Sequence, residues 1–390
     1  MRPHTYTPRP MSGRATSPVL QRLGTRSVAQ FMREDWQRRP ALLRGVFTPR
    51  EFAFPPQTLF DLAARDDVES RLVTRFGGRW RLRHGPVPPS ALPLRRPRDW
   101  TLLVQGVNLY EPLADRLLGR FRFLPDARLD DVMASYAVAG GGVGAHVDSY
   151  DVFLVQTRGR RRWRISRQRD QRLLDGAPLR LLAEFRPSQD WVLEPGDVLY
   201  LPPGVAHEGT ALDDCITCSV GFRSLPWSAL RAPLAELLAA RPALRTRYRD
   251  RTEQATRAPA RLPAAMERAF AVALGGAWPA DALRSALLGT LSEPKDGVYF
   301  ERAPRTTPAR LAQRARRHGV SLDPGTRLLY AGNRAAINGE LLALAPRTGR
   351  LVRRLADARA LDASSCASLD EASAALLAQW YVAGWVHLGN

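Results

Sequence analysis

The chain has 390 residues, with 58 lysines and arginines against 38 aspartates and glutamates, a net charge of +20, 45% hydrophobic and 25% charged residues. These proportions are ordinary for a globular protein with a sizeable core and give length enough for two or three domains. No run of roughly 18 apolar residues occurs, which argues against a membrane-spanning helix.

The first 18 residues carry no apolar stretch of the kind a secretory signal needs and read as a disordered tail. Ser27-Val28-Ala29-Gln30 resembles a capping box and predicts a helix to about Gln37. Arg39 to Arg44 reads as an extended strand, and Thr48-Pro49-Arg50-Glu51 as a second helix start, with helix continuing from Thr58 to Ala64. Strands are expected within Arg71 to Leu82, a loop over 86–98, a strand from Trp100 to Val107 and a helix from Pro112 to Arg120. Asp131 to Val138 is strand-like. Gly140, Gly141, Gly142 and Gly144 then make a turn into His146-Val147-Asp148. Val152 to Gln156 reads as a strand and Thr157-Arg158-Gly159 as a turn, with Arg160 to Ile165 pairing back. Further short strands are expected at Trp191 to Leu193, Val198 to Leu201 and Ile216 to Phe222.

Short strands broken by Gly/Pro turns suggest a barrel or sandwich. From about Pro226 the pattern turns helical, with Leu230, Leu234, Leu237 and Leu238 at helical spacing. Residues 291–390 mix helices (Pro308 to His318, Leu369 to Tyr381) with short strands near 327–330, 335–337 and 341–344, which fits a winged-helix-like unit. The expected division is a tail (1–18), a β-rich domain (19–225), a helical segment (226–290) and a winged-helix-like domain (291–390).

Cys215, Cys218 and Cys366 are too few for a disulfide framework and point to the cytosol. Cys215 and Cys218 match C-x-x-C, but within an apolar strand-like run they read as buried small residues. The basic excess would suit an anionic partner such as ribosome or RNA. However, Lys295 is the sole lysine, and the arginines are spread along the chain as a GC-rich genome would leave them. Direct nucleic-acid binding is therefore not expected from charge.

His146 and Asp148, two apart on a strand, share a face. His207, just after Pro202-Pro203-Gly204, can supply a third ligand from a neighbouring strand. Two histidines and a carboxylate with no cysteine favour Fe(II) over zinc, in the facial arrangement that leaves coordination positions open. In Arg160-Arg161-Arg162-Trp163-Arg164-Ile165, alternation puts Arg161, Trp163 and Ile165 on an inward apolar face and Arg160, Arg162 and Arg164 outward. A buried guanidinium needs an anion. A dicarboxylate co-substrate such as 2-oxoglutarate would satisfy Arg161; a structural Asp or Glu is the alternative. Tyr150 has the parity of His146 and Asp148 and is expected to face the metal, unless it is a core aromatic.

His146-Val-Asp148, DVFLVQTRGRRRWRI, LEPGDVLYLPPGVAHEG and SVGFR together resemble the JmjC-type cupin oxygenases, and within them the bacterial ribosomal oxygenases. The resemblance covers most of the chain. It implies an α+β protein with a double-stranded β-helix (cupin/JmjC) catalytic domain, a helical dimerisation segment and a C-terminal winged-helix-like domain. It further implies a cytoplasmic homodimer that uses Fe(II) and 2-oxoglutarate to hydroxylate an arginine β-carbon of a large-subunit ribosomal protein. By the resemblance His146, Asp148 and His207 hold the iron and Arg161 the 2-oxoglutarate carboxylate. Asp131 and Ser219 recognise the substrate guanidinium, and Met133 and Tyr150 wall its stem. Asp130 and Asp151 are also close to the motif, so Asp131 is chosen on the resemblance; the facing of Ser219, and whether Met133 is wall or core, stay open. Ala137 and Thr217 depart from the family pattern of Ser and Asn, which puts the finer hydrogen bonding to 2-oxoglutarate in doubt. The competing readings are a JmjC hydroxylase of a histidine or another protein substrate, and a nucleic-acid-binding regulator that uses the winged helix.

Overall fold

Alternating apolar and polar residues on short strands build two facing antiparallel sheets in the N-terminal half. The computed structural model describes residues 18–93, 98–224, 231–239, 272 and 280–389. In chain order the strands are β1 (Arg22–Leu23), β2 (Arg26–Ser27), β3 (Ala41–Leu43), β4 (Ser70–Phe76), β5 (Arg79–His84), β6 (Trp100–Val104) and β7 (Leu129–Ala137). They continue as β8 (His146–Val147), β9 (Val152–Arg158), β10 (Arg161–Ser166), β11 (Gln189–Leu193), β12 (Val198–Leu201), β13 (Ala206–Ala211) and β14 (Cys215–Phe222). The larger sheet has the order β3-β12-β9-β14-β7-β6-β4-β5 and the smaller β11-β10-β13-β8. From β7 onward the chain passes back and forth between the two, and this crossing makes the expected double-stranded β-helix.

That topology corrects one expectation. Arg160 to Ile165 does not pair back on Val152 to Gln156: β9 pairs with β12 and β14, whereas β10 pairs with β11 and β13. Gly159 makes the crossing with φ of +60°, and a Cβ there would lie 2.3 Å from the Asp214 carbonyl oxygen, so only glycine fits. A local turn signal cannot distinguish a hairpin from a turn that changes sheets.

Strand alternation divides the interior into two layers. Leu129, Val132, Ala134 and Tyr136 of β7, Phe153 and Val155 of β9, and Ile216, Cys218, Val220 and Phe222 of β14 face the main core with Phe31, Phe121 and Tyr200. The opposite faces turn into the space between the sheets, where Val152, Leu154, Trp163, Ile165, Leu193, Leu199, Leu201 and Val205 form a second apolar cluster. The polar residues of those inward faces are the ones left to do chemistry.

The first helix, Val28–Glu34, is capped by Ser27, whose Oγ accepts from the Gln30 amide at 3.1 Å. The helix expected from Thr48 does not form. Glu51 caps Thr48 as a single turn, and the helix starts at Pro56 and ends at Ala63. Phe54-Pro55-Pro56 explains this, because a residue before proline is disfavoured in the α region. Pro112–Arg120 is helical as expected, and the strand after Trp100 stops at Val104.

Helix Arg231–Ala239 falls within the expected helical segment and Ala280–Ser292 runs two residues past its end; the segment's remaining residues, apart from Val272, lie outside the described ones. The C-terminal unit contains helices Pro308–His318, Pro346–Ala358 and Glu371–Val382. It has two three-stranded sheets: β15 (Val320–Leu322) between β19 (Ala360–Leu361) and β20 (Val386–Leu388), and β16 (Leu328–Ala331), β17 (Arg334–Ile337) and β18 (Glu340–Ala343) in order. Its own core gathers Leu311, Val352, Leu355, Leu377 and Trp380. It docks on the β-helix through arginines on carbonyl oxygens. Arg122 donates to Asp357 at 2.6 Å and Ala356 at 3.0 Å, and Arg327 to Leu129 at 2.9 Å. Among the described residues no helix is long and apolar enough to cross a membrane.

Candidate metal and co-substrate site

His146 on β8 and His207 on β13 are register partners, and Ile165 of β10 pairs His207 on its other side. Asp148 follows where β8 ends. One ligand atom from each of His146, Asp148 and His207 falls within 4.8 Å of the others. His146 Nε2 lies 3.9 Å and His207 Nε2 3.6 Å from Asp148 Oδ2, both less than twice a metal–nitrogen or metal–oxygen bond of about 2.0–2.2 Å.

Both imidazoles are held the same way. His146 Nδ1 donates to the Gly144 carbonyl at 3.0 Å and His207 Nδ1 to the Val205 carbonyl at 2.9 Å. Each bond fixes the tautomer that leaves the Nε2 lone pair aimed at the cluster. Burial, helped by the charge of His146, pushes the His207 imidazole down to about 3, so it stays neutral and able to ligate. Burial raises the Asp148 carboxyl, against the pull of His146 and Arg71. Trp163 lies beside His207 with ring centroids 6.0 Å apart. Its ring covers Gly209, where a Cβ would meet it at 2.7 Å.

Arg161 is 4% exposed, while Arg160, Arg162 and Arg164 point outward to ion pairs with Asp213, Asp190 and Glu208. The guanidinium lies 5.7 Å from the Trp163 ring centroid and donates from Nη1 to Ser135 Oγ at 3.0 Å. Its Nε and Nη2 are buried and have no hydrogen-bond partner among the described residues. A buried cation with two orphaned donors is costly unless an anion meets it. A bidentate carboxylate from outside the chain fits those donors, and His-Asp-His fits a divalent metal beside it.

The wall of β7 and β14 places the other expected residues. Asp131 and Met133 point inward with Ser135, and Met133 is the cross-strand partner of Ser219, which is half-buried on β14. Asp131 is 7% exposed and accepts from Gln105 Nε2 at 2.8 Å. Asp151 belongs elsewhere: it is fully buried and takes bonds from Tyr200, Gln37 and Arg128 at 2.6, 2.9 and 2.9 Å. Tyr150 does not sit on a strand, because β8 ends at Val147; it lies on a bend, 40% exposed. Parity therefore does not orient it. Desolvation and the nearby Asp148 and Asp131 raise its phenol above the ordinary value, so it remains protonated. The Thr217 side chain is turned to Gln156, its Oγ1 donating to Oε1 at 2.8 Å, while its carbonyl accepts at 3.4 Å from the Ser135 hydroxyl that Arg161 binds. The C-x-x-C cysteines are fully buried and free, and burial raises the Cys218 thiol to about 12.

Four residues were missed from sequence. Ser135 has the parity of Asp131 and Met133, a signal that could have found it. Arg71 reaches Met133 Sδ at 3.9 Å and acts electrostatically on Asp148 and Tyr150. Gln105 and Lys295 reach Asp131 from distant segments, and nothing local marks them.

Fold and site together define a class, the JmjC oxygenases: residues 116–230 match the JmjC domain family and residues 276–387 the ROXA-like winged helix family. More narrowly, the chain belongs to the ribosomal oxygenases. The ribosomal protein uL16 3-hydroxylase of Escherichia coli (strain K12) is 40% identical over 212 residues, 54% of this chain and 56% of that protein. A probable ribosomal oxygenase of Haemophilus influenzae is 37% identical over 207 residues, 50% of this chain and 48% of that one. These alignments span about half the length of the curated relatives. The solved structure of YcfD, a ribosomal oxygenase from E. coli, superposes with a TM-score of 0.82 at 30% identity, over 95% of this chain and 100% of that one. YcfD in complex with cobalt and 2-oxoglutarate superposes with a TM-score of 0.80 at 30% identity, over 93% and 98%.

Proposed function

We propose that this protein is an Fe(II)- and 2-oxoglutarate-dependent hydroxylase acting on the β-carbon of an arginine in a large-subunit ribosomal protein. One observation carries the reading: a tautomer-fixed His-Asp-His cluster and a buried guanidinium both lie beside the Trp163 ring, and among the described residues no carboxylate pairs with that guanidinium. The name of the E. coli relative, a uL16 3-hydroxylase, supports the substrate class. The complexes of YcfD with cobalt and 2-oxoglutarate and with cobalt and succinic acid support the co-substrate.

His146, Asp148 and His207 would hold the iron. When bound, iron and 2-oxoglutarate supply the oxidising power: dioxygen converts the keto acid to succinate and CO2, and one oxygen atom enters the substrate C–H bond. The chain's own residues do the positioning. Arg161, braced by Ser135, takes the far carboxylate of 2-oxoglutarate. Asp131 accepts the substrate guanidinium, with Ser219 beside it, while Met133 and Tyr150 flank the aliphatic stem. Trp163 and Ile165, both buried, keep water from the metal side of the site. The anionic Asp131, rather than a neutral acceptor, favours arginine over histidine.

The division into 19–225, 226–290 and 291–390, homodimerisation through the middle segment and work in the cytoplasm on ribosomal protein complete the reading. Incubation with Fe(II), 2-oxoglutarate and ribosomal proteins should give succinate and an arginine heavier by one oxygen atom, and His146→Ala should abolish both. Succinate with an oxidised histidine and no oxidised arginine would favour the alternative substrate. No succinate with any substrate would leave the nucleic-acid regulator as the better reading.

A further inference from the structure

Lys295 is the sole lysine among 58 basic residues. It stands outside the β-helix, in the turn after helix Ala280–Ser292 that leads to the C-terminal unit. Its ammonium nevertheless reaches back to the substrate wall, with Nζ 2.6 Å from Asp130 Oδ2 and 3.2 Å from Asp131 Oδ2.

The two carboxylates depend on it unequally. Asp130 also has Arg223 and Arg327 at 3.4 Å each. Among the described residues Asp131 has, besides Lys295, only the carboxamide of Gln105 at 2.8 Å as a direct side-chain partner, and it is 7% exposed. An ionised carboxylate so buried is costly without a cation. Lys295 is the cation in direct contact with it, with Arg327 acting from farther away. The lysine also has somewhere to go. It lines, with Asp130 and Asp131, a crevice of about 720 Å³ between the β-helix and the C-terminal unit, and its side chain is 35% exposed.

The residue type matters. An arginine here would present a planar fork to Asp131, the same group as the substrate, and would hold it bidentately. A lysine is a single-point donor on a flexible stem, and it compensates Asp131 without copying the ligand. In a chain that uses arginine at every other basic position, lysine stands where a guanidinium would compete with the substrate's own.

We propose that Lys295 is a displaceable placeholder for the substrate guanidinium. It neutralises Asp131 while the site is empty and withdraws onto Asp130 when a substrate arginine arrives. The proposal rests on the reading of Asp131 as the guanidinium-binding carboxylate and deepens it. Lys295 is thus a positioning residue that sets affinity for arginine and touches neither iron nor 2-oxoglutarate.

The full-length protein can test this directly, since lysine labelled with 13C at Cε gives one side-chain resonance. The probe is a synthetic peptide spanning the ribosomal-protein arginine that the wild-type enzyme oxidises, with the citrulline peptide as its neutral counterpart. The arginine peptide should shift the Lys295 signal and the citrulline peptide should not. In steady-state assays Lys295→Arg should raise the peptide KM about tenfold or more, the worth of one extra charge-assisted bond of about 1.4 kcal/mol. It should leave kcat at saturation, and the affinity for 2-oxoglutarate, close to wild type. Lys295→Met, which removes the competitor, should not raise KM as Lys295→Arg does. An unmoved lysine signal with a Lys295→Arg KM within twofold of wild type overturns the placeholder alone. If wild-type enzyme oxidises no ribosomal arginine, the parent reading falls and the placeholder with it.

Discussion

Replacing Arg161 with methionine separates a structural arginine from one built for a ligand. A structural arginine has its anion in the protein, so its removal strands a carboxylate and destabilises the fold by about 3–5 kcal/mol. Among the described residues no carboxylate pairs with Arg161: its one hydrogen bond is to Ser135 at 3.0 Å, and Nε and Nη2 are orphaned. Methionine keeps much of the volume and removes a buried charge, so the protein without 2-oxoglutarate should melt no lower than wild type. Binding should suffer instead. Loss of one member of a buried, hydrogen-bonded charge pair costs about 2–5 kcal/mol, a factor of roughly 30 to several thousand in Kd. Arg161→Lys should lie between, because it keeps the charge and loses the fork. Calorimetric titration of 2-oxoglutarate into metal-loaded protein gives Kd, and thermal melts with and without 2-oxoglutarate give the stability arm. Unchanged affinity in Arg161→Met, or a melting point that collapses without co-substrate, would refute the assignment.

Other expectations follow from single contacts. His207→Ala should lose Fe(II) binding and turnover, and chelation of the wild-type protein should abolish activity that added Fe(II) restores, both read as succinate release. Tyr200→Phe removes a hydroxyl that donates to buried Asp151 at 2.6 Å and accepts from the Gln37 amide at 2.7 Å; it should cost about 1–3 kcal/mol of stability in urea melts, and equal stability would mean the network is not cooperative. Asp362 is held down to about 2 by Ser365 and Ser364, from an ordinary 3.8. Its folded value lies below its unfolded one, so its contribution is complete above the ordinary value and is lost as pH falls toward about 2. Asp362→Asn should therefore flatten the acid limb of the stability–pH curve there; an unchanged limb would show that the turn does not matter.

The chemistry was more legible than the architecture. His146, Asp148, His207 and Arg161 could be found because parity and the Pro-Pro-Gly turn are local properties, and the inward Arg161 followed from its neighbours Trp163 and Ile165. Parity failed at Tyr150 because β8 is only two residues long. Pairing partners were illegible: the turn at Gly159 reads as a hairpin, yet Gly159 carries the chain from one sheet to the other. The helix Pro346–Ala358 was missed, since Pro346, Gly349 and four arginines obscure its buried stripe of Val352, Leu355 and Ala356. The sequence distance from Lys295 to Asp131 hides a contact that only tertiary packing makes.

The central claim is most directly tested by mass spectrometry of ribosomal proteins from cells with and without this protein. One arginine of a large-subunit protein should be heavier by one oxygen atom, at its β-carbon, only where the intact gene is present and not where it encodes His146→Ala. Identical spectra from both, or an added oxygen on histidine alone, would contradict an arginine hydroxylase.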